Sequence, residues 1–95
     1  MWKIRINKEG ETLESWKYSV EVGTDSLTYE YKVELNKAYY KEVTNEKITP
    51  LLFIEHSFFF LLDQEPPSSI LRDFNIKEIR SYFPEYEKAM QAMLG

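Results

Sequence analysis

The stretch LTYEYKVELNKAYYKEVTN, residues 27–45, changes its period in the middle. From Leu27 to Leu35, apolar Leu27, Tyr29, Tyr31, Val33 and Leu35 alternate with Thr28, Glu30, Lys32 and Glu34. Successive side chains of a strand point to opposite faces, so this half reads as a strand with one wet face. From Asn36 the alternation stops. Asn36 suits an N-cap and Asn45 suits the left-handed position that closes a helix, so the second half reads as a short helix. A continued strand is the rival reading, since adjacent Tyr39 and Tyr40 fit either. The stretch divides the chain into strands before it and helices after it.

Toward the N-terminus the same alternation recurs. Trp2, Ile4 and Ile6 share a face opposite Lys3 and Arg5; Trp16, Tyr18, Val20 and Val22 alternate with Ser15, Lys17, Ser19 and Glu21. Asn7-Lys8-Glu9-Gly10 and Gly23-Thr24-Asp25-Ser26 carry turn chemistry between these runs. Loops this short join antiparallel neighbours, which predicts a three-stranded antiparallel meander over residues 1–35. Leu13 is out of phase with Trp16, which predicts a bulge or a late strand start. The polar face carries Lys3, Arg5, Lys17 and Lys32 interspersed with glutamates, the pattern of a solvated sheet face.

Toward the C-terminus, residues 36–95 read as three to four helices. In KITPLLFIEHSFFFLLDQEPP, residues 47–67, Thr49 can cap, Pro50 suits the first helical position, and Pro66-Pro67 end the helix near Glu65. SSILRDF, residues 68–74, predicts a short helix begun by serine caps. Asn75 with Glu78 makes a capping-box start. Residues 85–94 predict a terminal helix with Tyr86, Ala89, Met90 and Met93 on one stripe. Strands followed by helices give an α+β fold with the helices on one sheet face, in one domain spanning residues 1–95.

At about 100° per residue, Phe53, Ile54, Ser57, Phe58, Phe60 and Leu61 form the inward arc of the helix that holds the phenylalanine run. Leu52 and Phe59 fall outside it, on the polar side with Glu55 and His56, at spacings i, i+3, i+4 and i+7. Either the terminal helix lays Tyr86, Met90 and Met93 over them, or a partner does. These seven residues are the candidate interface.

The chemistry that the residues exclude is broad. Cysteine is absent, which removes disulfides, thiol nucleophiles and thiolate-held metals. His56 is the sole histidine, without a triad or a metal-ligand pattern around it. No phosphate-binding glycine motif or nucleophile elbow appears, and no carboxylate pair stands out. We therefore expect no cofactor, no metal and no enzymatic role. The net charge is −4, with eight Lys/Arg against nine Asp/Glu in residues 1–47 and four against seven beyond. A nucleic-acid partner lacks an electrostatic footprint in that balance. No signal peptide or membrane span is legible, so the expected location is cytoplasmic and the expected partners are not membranes.

KITP (47–50), FLLDQEPPSSILRDF (60–74) and IRSYFPEYE (79–87) resemble a pattern found in a group of small prokaryotic proteins of unknown function. Leu51, Leu52 and Phe59 depart from it, standing where charged residues are usual. The resemblance implies a fold and no activity. The functional expectation is a protein–protein interaction module, a homodimer or a complex with another protein. The alternative is nucleic-acid or anionic-ligand binding on the polar sheet face through Lys3, Arg5, Lys17 and Lys32.

Overall fold

The structure is a computed structural model and describes residues 2–94. Strands β1 (Lys3–Glu11), β2 (Ser15–Gly23) and β3 (Thr28–Asn36) pair antiparallel in chain order. Helices α1 (Lys37–Thr44) and α2 (Pro50–Gln64) follow directly. Two 3-10 turns, Pro67–Ser69 and Ile76–Glu78, bracket a fourth strand, β4 (Asp73–Asn75); α3 (Ile79–Tyr82) and α4 (Tyr86–Met93) complete the described chain.

The architecture is α+β, with one correction to the expected meander. The sheet has four strands, and β4 joins β3 in parallel, so the order is β1-β2-β3-β4. The expected helix over residues 68–74 is a 3-10 turn and then this strand. The reason is tertiary. The edge of β3 still had backbone groups to satisfy, and the Lys32 amide donates to the Arg72 carbonyl at 2.7 Å. Phe74 then drops into the core beside Phe58.

Local signals place the helices where capping predicts. Asn36 Oδ1 accepts from the Tyr39 amide, and Asn45 ends α1 at φ 53°. Thr49 Oγ1 accepts from the Leu52 amide, with Pro50 in the first turn. The Asn75–Glu78 capping box forms, but it opens the 3-10 turn that leads into α3. Such caps typically contribute about 1 kcal/mol each.

The first turn lies later than its residues suggest. β1 runs through Asn7-Lys8-Glu9-Gly10 to Glu11, and Leu13 sits at the tip of the β1–β2 turn, 93% exposed. Leu27 likewise precedes β3 and is exposed. The register slips between Lys8 and Gly10, leaving Glu9 as a bulge. A one-residue slip exchanges the faces of everything beyond it. Glu11 therefore pairs with Trp16 on the helix side, where it meets Lys37 of α1.

The core lies between the sheet and the helices. Val20, Val22, Tyr31 and Leu35 are fully buried beneath Phe53, Ile54 and Phe58 of α2. Three phenylalanines of α2 reach in different directions. Phe53 meets Tyr39 and Tyr40 of α1, Phe58 meets Tyr31 and Phe74 of the sheet, and Phe60 meets Phe83 and Tyr86. The Tyr31 hydroxyl donates to the Pro67 carbonyl at 2.6 Å, tying β3 to the turn after α2. Tyr31→Phe leaves the Pro67 carbonyl with only the longer bond from the Ile70 amide, at 3.2 Å, and is expected to lower the unfolding free energy by about 1 kcal/mol, read from urea melts with unchanged slope.

Candidate interaction surface

The face of α2 turned away from the sheet is more apolar than a solvated helix face. Phe59 is 45% exposed and Leu51 is 45% exposed, with Leu52 and Leu62 half-buried beside them. Glu55 and His56 are half-buried on the same face. The helix is unbroken from Pro50 to Gln64, so Leu52, Glu55, His56 and Phe59 lie in one continuous stripe. Leu51 and Leu62 were not among the candidates. Their signal was available: Thr49 and Pro50 set the start of the helix, and the angular step from there puts both at the border of the outer face.

His56 Nδ1 is enclosed and has no hydrogen-bond partner among the described residues. An enclosed bare lone pair is better tolerated than an enclosed unpaired N–H. A ring with its proton on Nε2 meets that condition and keeps a donor for a group approaching from outside. Among the described residues no carboxylate is bonded to this ring.

The terminal helix takes a different place from the one considered for it. Tyr86 is fully buried and Met90 is 2% exposed; both are core and neither belongs to a surface. Tyr86 packs edge-on against Phe60, its hydroxyl lies 2.6 Å from Ser57 Oγ, and Met90 Sδ lies 3.9 Å from the same oxygen. Ser57 also donates to the Phe53 carbonyl at 2.8 Å, so Tyr86 is the donor to Ser57. Burial, foremost, pushes the Tyr86 hydroxyl well above its ordinary range. Tyr39 is raised likewise, first by burial and then by its hydrogen bond to Glu87. Both phenols stay protonated and structural. Met93, at the end of α4, is 46% exposed, and Phe59 stays open.

The polar sheet face intersperses its cations with carboxylates, except at Lys3, which stands opposite Gly23. Lys32 bonds Glu9 across β2, Arg5 lies 3.6 Å from Glu21, and Lys17 stands opposite Glu34. A shallow depression there is lined by Lys17 and Lys32 together with Glu9, Glu34 and Asp73. An anion approaching it meets more carboxylates than ammonium groups. On the helix side, Lys8, Glu11 and Lys37 form a second cluster, with Lys37 Nζ 5.4 Å above the Trp16 ring. The bulge at Glu9 assembles this cluster, and no local sequence signal announces it.

Among the described residues, no group of three or more His, Asp or Glu side chains stands close enough to hold a metal ion, and no helix is long and apolar enough to cross a membrane. The chain matches no family model, no curated protein and no solved structure.

Hydrogen bonds from Lys37, and then Lys8, hold the Glu11 carboxyl down at about 2. A depressed carboxyl contributes stability that is complete above the unfolded-state range, roughly 4.3, and is lost as pH falls through the folded value. Thermal melts should therefore decline more steeply from pH ~5 to ~2 for the wild type than for Glu11→Gln, with the difference shrinking in ~1 M salt. Parallel pH curves for the two proteins would remove Glu11 as the source.

Proposed function

We propose that this protein is an interaction module that self-associates through the outer face of α2. The observation that carries the reading is the exposed Phe59 in the stripe Leu52, Glu55, His56, Phe59. An apolar patch set among polar groups is what association surfaces present. The stripe is also self-complementary. A two-fold axis running parallel to α2 sets Leu52 against its copy and Phe59 against its copy. It also places each Glu55 beside the other chain's His56, whose Nε2–H meets a carboxylate acceptor. An antiparallel pairing sets Glu55 against Glu55 instead, and like charges disfavour it. Closed two-fold assemblies require this kind of reciprocal match.

Light scattering over a concentration series is the test. The wild type should pass from monomer to dimer. Leu52→Glu combined with Phe59→Glu should remain monomeric with an unchanged circular dichroism spectrum. His56→Glu alone places acid beside acid and should weaken the dimer about tenfold or more, a change of about 1.4 kcal/mol or more. Adding Glu55→Lys to His56→Glu restores opposite charges and should recover association. A wild type that is monomeric throughout, or a double charge variant that does not recover, overturns the reading.

A further inference from the structure

A cleft opens on another part of the molecule, where the end of α2, the turn at Pro67–Ser69, β4 and α3 converge. It encloses about 330 Å³, within the range of ligand-binding clefts. Leu61, Ile70, Phe74 and Ile79 form a floor that is almost wholly buried. Leu71 and Tyr82 stand at the rim, 51% and 66% exposed. The two carboxylates in its wall are Glu65 and Glu78, and no Lys or Arg lines it. Except for Glu78, every lining residue falls in the segments 60–74 and 79–87.

The neighbouring cations are engaged elsewhere. Arg72 lies over the Tyr29 and Tyr31 rings, Arg80 pairs with Glu87 at 3.2 Å, and Lys77 lies over Tyr39. Glu78 accepts from the Asn75 amide with one oxygen. Glu65 has no ion pair or side-chain hydrogen bond among the described residues and is half-buried against apolar walls. A carboxylate so placed attracts a cation more strongly than one in open water. The exposed Tyr82 ring offers that cation a second favourable face.

We infer that this cleft binds a short segment of a partner protein in which an apolar side chain sits next to a lysine or arginine. The apolar side chain fills the space above Ile70 and Ile79 and covers Leu71 and Tyr82. The cation pairs with Glu65. The site is separate from the α2 stripe, and either can fail without the other.

The test is a ¹⁵N NMR titration with acetyl-Lys-Leu-Phe-Lys-amide, its Glu-Leu-Phe-Glu counterpart, and hexylammonium. The basic peptide should shift the amides of Ile70, Leu71, Tyr82 and Phe83 and saturate at concentrations on the order of 1 mM. The acidic peptide and the Glu65→Gln variant should each bind about tenfold more weakly, as expected on losing a charge-assisted contact. Leu71→Ala, at an exposed position, should weaken binding while the spectrum stays folded. Absence of saturation, equal response to both peptides, or hexylammonium binding as tightly as the basic peptide overturns the inference.

Discussion

Everything in this molecule is arranged around burying one arc of α2. Six of its residues, Phe53, Ile54, Ser57, Phe58, Phe60 and Leu61, are buried, and a different part of the chain must come to cover each. Phe53 draws α1 in, Phe58 requires a sheet beneath it, and Phe60 recruits the C-terminal segment. Fully burying one such aromatic side chain is worth roughly 1.5–3 kcal/mol, far more than any exposed ion pair here. Ser57 is the polar exception in the arc. Its oxygen is satisfied by the Phe53 carbonyl and by Tyr86, so a hydroxyl sits at the centre without an orphaned group.

That commitment explains why the terminal helix does not shield Phe59. α4 is short, and its two best apolar residues, Tyr86 and Met90, are used on the inward side at Ser57 and Phe60. What remains outward on α4 is mostly polar. The outer stripe of α2 is left with Leu51, Leu52, Leu62 and Phe59 on a face that also carries Glu55, His56 and Asp63. The same economy of chain length shapes the far end of α2. Pro66 and Pro67 stop the helix, the chain turns back to pair with β3, and a gap is left between β4 and α3.

The sheet shows how one residue redistributes charge. The extra residue at Glu9 sends Glu9 toward Lys32 on the open face and Glu11 toward Lys37 on the helix face. Both carboxylates then neutralise lysines that would otherwise stand free. On the open face Arg5 and Lys32 end beside carboxylates, while the walls around Glu65 and the stripe around Glu55 keep acid groups without such partners. The electrostatic contrast between these surfaces, more than the net charge, distinguishes where a partner of each sign is welcome.

Much of this was legible in the residues. The change of period at Leu35, the caps at Asn36, Thr49 and Asn75, the left-handed Asn45 and the inward arc of α2 are local properties. Spacing and hydrogen-bonding capacity determine them within a few residues. Leu52, Glu55, His56 and Phe59 share a face for the same reason. What local chemistry did not contain was decided by tertiary structure. SSILRDF has serine caps and could begin a helix, but the open edge of β3 offered it backbone partners, and it became a turn and a strand. Asn7 to Gly10 has turn residues, but pairing with β2 carried the strand through them. Tyr86 and Met90 read as surface candidates because a stripe does not say what it faces. The cleft around Glu65 came from elements brought together only by burial of α2. Sequence by itself determined the periodicities and their ends; the competition for buried surface and for unpaired backbone groups decided which of them prevailed.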